Sequence, residues 1–272
     1  MIPASFTYKR PTSVTEAIEM IAADEDAKIL AGGHSLLPIM KLRLAAPSAL
    51  IDIGRIEGLA YVHEEAGVIK IGAMTRHHDL ATSPLLQERL PLLAYAAGFV
   101  GDPQVRHRGT IGGSLVHGDP ASDLPAVALA MEATLVLTGP NGTREVPATE
   151  FFLGFWETAT GADELLTEIQ IPVSTDGYGF EKFTRRAQDW AIVGVAVSRR
   201  GSGAGIALVN MGQTPLRAAA AEAALLSGAG LEAAAALADA GTEPISDQPA
   251  SSEYRRHLAR VLTARALEQA GF

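Results

Sequence analysis

The chain has 272 residues, with 22 Lys and Arg against 31 Asp and Glu, a formal charge of −9. That balance argues against nucleic acid or an anionic membrane surface as its main partner. The absence of cysteine excludes disulfides, thiolate zinc sites, cysteine nucleophiles and cysteinyl iron–sulfur clusters on this chain, so any redox centre must be a bound cofactor.

At 47% hydrophobic and 19% charged residues, the chain has ample material for packed cores, in one large domain or two unequal ones. The longest apolar stretch, Leu90 to Val100, spans 11 residues. A membrane-spanning helix needs about 20. The opening MIPASFTYKRP has no signal-peptide core, and a soluble cytoplasmic protein is the expectation.

In chain order, Ser13 and Glu16 have capping-box spacing before an apolar-periodic run, which predicts a helix, followed by a short strand Ala27 to Leu30. The glycines of AGGHS then lead into one or two helical turns in SLLPIMKLRLA, and Ala49 to Gly54 reads as a buried strand. Leu59 to Gly72 predicts a hairpin turning at Glu64, Glu65, Ala66 and Gly67. Helices are expected over Arg76 to Ala81 and Leu90 to Val100.

A second glycine turn runs from Arg108 to Ser114, and Ser122 caps an apolar helix through Met131. ATLVLTG and the Asn141-Gly142 step predict a further hairpin, and Glu164 to Pro172 a closing strand. Turn formers from Val173 to Gly179 mark a domain boundary. Beyond it come three predicted strands, near Phe180 to Thr184, Ala191 to Arg199 and Ala204 to Met211. Alanine-rich helices follow over Arg217 to Leu226, Leu231 to Ala240 and Glu253 to Ala270. Strands followed by helices predict an α+β fold.

Two segments point to chemistry. Ala31 to Ser35 (AGGHS) and Thr110 to Ser114 (TIGGS) each present glycine backbone that a phosphate oxygen can approach, so two such turns could clamp a diphosphate. Neither fits the Rossmann or Walker pattern. Ordinary tight turns are the alternative reading.

AGGHSLLPIMKLRLAAPSALIDIGRI, PQVRHRGTIGGSLVHGDPASDLPAVALAME, LLTEIQIP and EKFTRRAQDWAIVGVAV together resemble the FAD-binding medium subunit of molybdenum hydroxylases, the family of aerobic carbon monoxide dehydrogenase and the flavin subunits of xanthine dehydrogenase-like enzymes. The resemblance covers essentially the whole chain. It implies a two-part PCMH-type FAD-binding domain over residues 1–175, with subdomains of about 1–56 and 57–175. A smaller α+β domain over 176–272, a three-stranded sheet with helices, would follow.

It also implies a noncovalent FAD, with Ala31, Gly32, Gly33, His34, Ser35 and Leu36 in the first diphosphate loop and Thr110, Ile111, Gly112, Gly113 and Ser114 in the second. Asp123 matches the acidic residue near the FAD sugar and ribityl chain, and Leu166 an apolar position beside the flavin. Lys182 and Trp190 lie in the segment that approaches the isoalloxazine from the second domain. Trp190 stands where relatives often have Tyr, and core packing is the alternative for it.

The implied function is an electron-transfer oxidoreductase subunit with no acid, base or nucleophile of its own. It would take electrons from a small [2Fe–2S] subunit, beside a molybdopterin-binding large subunit, in a doubled heterotrimer, and pass them to a quinone, NAD or oxygen. Carbon monoxide, a purine or other heterocycle and an aldehyde are all admissible substrates of the complex. A histidine in a glycine loop, as at His34, also admits an autonomous oxidase with covalent flavin. His107, His117, Asp119 and Asp123 cluster by sequence, but no pair has recognisable metal-ligand spacing, and no metal site is expected.

Overall fold

The computed structural model describes residues 2–272. The first unit is β1 (Thr7–Lys9), α1 (Val14–Ala22), β2 (Lys28–Leu30), α2 (Leu36–Lys41) and β3 (Ala49–Asp52), with a parallel sheet in the order β1-β3-β2. Ser13 caps α1 by accepting from the Glu16 amide at 3.1 Å, but the Glu16 carboxylate reaches one residue further back, to Thr12 N and Oγ1. Ala17 and Ile18 of α1 bury against Ile51 and Ile53, and Met74 and Leu165 of the next unit complete that core. Pro38 sits in the first turn of α2, where a missing N–H costs nothing.

The second unit is built on an antiparallel sheet of β4 (Val62–Glu65), β5 (Val68–Gly72), β6 (Thr134–Gly139), β7 (Gly142–Pro147) and, later in the chain, β10 (Leu165–Pro172), in the order β4-β5-β10-β6-β7. Between β5 and β6 run α3 (His77–Thr82), α4 (Pro84–Arg89), α5 (Pro91–Ala97), α6 (Pro103–Arg106), α7 (Ile111–His117) and α8 (Asp123–Ala130). Leu80, Leu86, Leu93, Leu124 and Val127 from these helices pack on Ile69, Ile71, Leu135 and Ile169 of the sheet. The short α9 (Ala148–Phe151) and the two-stranded β8 (Phe152–Gly154) and β9 (Glu157–Thr158) fill the interval before β10.

The third unit is an antiparallel meander of β11 (Tyr178–Phe183), β12 (Val193–Arg200), β13 (Gly203–Val209) and β14 (Leu216–Arg217), followed by α10 (Ala219–Leu226), α11 (Leu231–Ala235) and α12 (Ser252–Gln269). The sheet has four strands, not the expected three. β14 is two residues long and lacks an apolar pattern that a sequence reading could detect. Every residue of α8 is buried, because it is packed on both the second and the third units. A Cβ on Gly205 would run into the Ala130 carbonyl, so only glycine lets β13 lie this close to the end of α8.

Other corrections are local. The β4–β5 loop is only Ala66 and Gly67, both at positive φ (51° and 79°), as a two-residue primed turn requires. Glu64 and Glu65 belong to the strand. In the next hairpin the loop is Pro140 and Asn141, and Gly142 opens β7. The helix expected over Leu231 to Ala240 ends at Ala235. No helix among the described residues is long and apolar enough to cross a membrane.

Candidate functional site

A cavity of about 760 Å³ lies where the three units meet. Of the residues singled out from sequence, Ala31, Gly32, Gly33, His34, Ser35, Leu36, Thr110, Gly112, Gly113, Ser114, Asp123, Leu166, Lys182 and Trp190 all line it. Ile111 does not. It is 2% exposed and points into the core beneath the five-stranded sheet.

The first glycine segment leaves β2 and enters α2. The amides of Gly32, Gly33, His34 and Ser35 donate to no acceptor among the described residues. Gly33 sits at φ +77°, in the left-handed region that glycine tolerates. Gly32 backs onto the other segment, where a Cβ would strike the Arg108 carbonyl and come within 2.8 Å of Gly109 Cα. Four successive unbonded N–H groups on a cavity wall are an anion-binding concavity.

The second segment is not a turn but the opening of α7, and beyond Thr110, whose amide has no acceptor among the described residues, its amides are spent. Ile111 N donates to Thr75 O (3.1 Å), Gly112 N to Ala73 O (2.9 Å), Gly113 N to the capping Thr110 Oγ1 (3.1 Å) and Ser114 N to Thr110 O (3.1 Å). The glycines there serve close packing instead. A Cβ on Gly112 would lie 2.6 Å from the Ala73 Cβ and carbonyl oxygen. The expectation of two matched backbone cradles is corrected to one open cradle and one packed helix start.

Asp123 opens α8 and meets Lys182 of β11. Lys182 Nζ donates to Asp123 Oδ2 at 2.7 Å and to the Phe99 carbonyl at 3.0 Å. Both side chains are buried. Burial pushes the Asp123 carboxyl up to about 6, against the opposing pull of the Lys182 ammonium. Its second oxygen, Oδ1, is buried without a partner among the described residues, an acceptor waiting for a donor from the cavity.

Trp190 is 59% exposed at the rim, which rules out the core reading. The segment Trp156 to Leu165 forms a wall that the sequence did not announce. There Glu164 accepts from the Gly161 amide and from Arg144, both at 2.7 Å. The His117 ring lies 5.3 Å from that of Trp156. Gly118, at φ +63°, ends α7, where a Cβ would come within 2.9 Å of Thr158 Cγ2. His107 instead packs against His78, with ring centres 4.0 Å apart and planes tilted by 34°.

Comparison with known proteins fits this geometry. The family described as "FAD binding domain in molybdopterin dehydrogenase" matches residues 4–174, and "CO dehydrogenase flavoprotein C-terminal domain" matches residues 178–270. The chain belongs to the flavoprotein subunits of the molybdopterin dehydrogenases. It is 47% identical to the carbon monoxide dehydrogenase medium chain of Hydrogenophaga pseudoflava, over 99% of this chain and 98% of that one. The solved carbon monoxide dehydrogenase of that organism, in a form lacking the Mo-pyranopterin moiety, superposes with a TM-score of 0.96 at 48% identity, covering 99% and 98% of the two chains. The glyceraldehyde dehydrogenase medium chain of Sulfolobus acidocaldarius is 36% identical over 99% of both chains.

The protein is thus an FAD-binding medium subunit of the carbon monoxide dehydrogenase and molybdenum hydroxylase group, and an oxidoreductase component. The donor set fits that cofactor. Open amides suit an anionic diphosphate, and an unpaired buried carboxylate oxygen suits a hydroxyl-rich chain.

Proposed function

We propose that this chain is the electron-transfer subunit of a molybdenum hydroxylase of the aerobic carbon monoxide dehydrogenase type. It takes electrons from a [2Fe–2S] small subunit and delivers them to an external acceptor such as a quinone, NAD or oxygen. Substrate is oxidised on a molybdopterin-binding large subunit, in a doubled heterotrimer. The observation that carries the reading is the convergence of the open amides Gly32 to Ser35 and the unpartnered Asp123 Oδ1 on one cavity.

Noncovalently bound FAD supplies the redox chemistry that no side chain of a cysteine-free chain offers. The chain's own residues bind and orient. The amides of 32–35 face the diphosphate charge. Asp123 accepts from sugar and ribityl hydroxyls, and Lys182, tied to Phe99 and Asp123, fastens the C-terminal sheet beside the flavin end. Leu166 and Trp190 offer apolar surface to the ring. The remaining loop residues, Ala31, Leu36, Thr110, Gly112, Gly113 and Ser114, shape the wall, and His34 sits within the open cradle.

The test is co-expression with a molybdopterin subunit and a two-cluster iron–sulfur subunit, following flavin absorbance on addition of carbon monoxide. Bleaching by carbon monoxide supports the proposal. Bleaching only by an aldehyde or a nitrogen heterocycle moves the protein to another branch of the family. Flavin that survives acid precipitation, with turnover by the isolated chain, overturns the reading in favour of an autonomous oxidase with flavin attached at His34.

A further inference from the structure

A further buried polar side chain sits on the cavity wall. His77, the first residue of α3, is 4% exposed and lines the cavity. Its backbone amide is pinned to the Gly109 carbonyl at 3.1 Å. The ring edge that carries Cδ2 and Nε2 is turned to Gly109, where a Cβ would come within 2.6 Å and 2.8 Å of those atoms. Gly109 is also the residue against which Gly32 of the open cradle packs. The other nitrogen, Nδ1, faces away from Gly109 and is sealed from solvent with no partner among the described residues.

The protonation of this ring follows from its surroundings. Burial, helped by His34, Arg76 and Arg106, holds its pKa down to about 4, so the imidazole is neutral near pH 7 and carries one N–H. That proton can sit on sealed Nδ1 or on cavity-side Nε2. A buried N–H without an acceptor is a costlier orphan than a bare lone pair, so the proton belongs on Nε2. Nε2–H then has no acceptor among the described residues and lies beside Gly109, on which Gly32 of the cradle packs.

We infer that His77 is a further cofactor-binding residue, whose neutral imidazole donates Nε2–H to the anionic diphosphate of the bound dinucleotide. The inference rests on the FAD reading above. It also accounts for what the second glycine segment lacks. With the amides of Ile111 to Ser114 consumed, His77 adds a side-chain donor on that side of the diphosphate, held just behind Gly109.

The deflavinated full chain is titrated with FAD, with ADP as a probe of the diphosphate end and with riboflavin as a probe that lacks it. Glutamine can place an N–H near the position of Nε2, whereas phenylalanine keeps the shape without a donor. His77→Phe is expected to weaken FAD and ADP at least about tenfold, the size of one charge-assisted hydrogen bond, and to leave riboflavin unchanged. His77→Gln is expected to restore most of the loss. Nitrogen-15 NMR of the wild-type ring is expected to show the proton on Nε2. Wild-type ADP affinity in His77→Phe, equal losses in the Phe and Gln variants, or a proton on Nδ1 overturns the inference. The NMR result decides even where the Phe variant fails to fold. A wild-type chain that binds no FAD contradicts the underlying reading instead.

Discussion

Ala31–Ser35 and Thr110–Ser114 both carry a Gly-Gly pair and end in serine, yet their backbones are used in opposite ways. The first emerges from the end of a parallel strand with no acceptor laid along its amides, and from Gly32 to Ser35 they stay open. The second is laid against Ala73 and Thr75 just beyond β5, and every amide from Ile111 to Ser114 is bonded. In the first segment the glycines keep the approach to N–H groups clear. In the second they remove side chains so that two pieces of backbone can touch. The two segments also meet, Gly32 against Gly109, so the packed one buttresses the open one.

The comparison is broken most severely at Gly112. Gly112→Val drives a side chain into Ala73 backbone, and overpacking of this kind is expected to cost about 3 kcal/mol of stability. Urea unfolding of the deflavinated chain measures it, and an unchanged midpoint would mean that the second segment is not a packing element. Asp123→Ala is expected to weaken FAD by about 1.5–3 kcal/mol in a fluorescence titration, through loss of charged hydrogen bonds to the cofactor. Unchanged affinity would remove Asp123 from the site.

Gly33→Ala places a Cβ at φ +77°, a strain of about 1–2 kcal/mol. Its signature differs from that of Gly112→Val, because the fold persists while FAD affinity falls. An FAD affinity matching wild type would show that the open cradle is not where the cofactor binds.

Acid sharpens the contrast further, since the two buried titrating groups on the cavity act in opposite senses. Asp123, raised to about 6, binds its proton more tightly when folded, so its contribution to stability is present below its unfolded pKa and lost as pH rises through about 6. His77, lowered to about 4, gives stability that is present above its unfolded pKa and lost as pH falls from there through about 4. Between about 4 and 6 they offset one another. Relative to wild type, unfolding free energy of His77→Gln is expected to rise as pH falls across that window, and that of Asp123→Asn to fall. Parallel curves for both variants would contradict these assignments. Smallest of all is Trp190→Ala. A residue 59% exposed is expected to change stability by less than about 0.5 kcal/mol while shifting the emission of bound flavin. Unchanged emission would take the indole off the ring.

Much of this was readable in the sequence. Apolar runs announce the central strands β12 and β13, interspersed apolar residues announce β10, and the Ser13 cap announces α1. What escaped notice was short or non-local. The helices α4 and α6 carry clear caps, Ser83-Pro84 and Asp102-Pro103, but at 6 and 4 residues they are too brief to show a period. β1 is a three-residue edge strand with no buried residue. At the site, the glycine segments stand out by motif, and Asp123 and Lys182 through the family resemblance. The consumption of the second segment's amides does not, because it depends on Ala73 and Thr75, about 40 residues earlier in the chain. His77 was hidden for the same reason. In the string TRHHDL it looks like a solvated helix start, and only the tertiary fold turns it inward.

The most direct test of the contrast is amide hydrogen exchange in the deflavinated chain, repeated with FAD bound. The account predicts fast exchange at Gly32 to Ser35 that becomes protected on FAD binding, with Ile111 to Ser114 protected in both states. Slow exchange at 32–35 without cofactor, or protection at 111–114 that appears only with it, would contradict the assignment of one open cradle and one packed helix start.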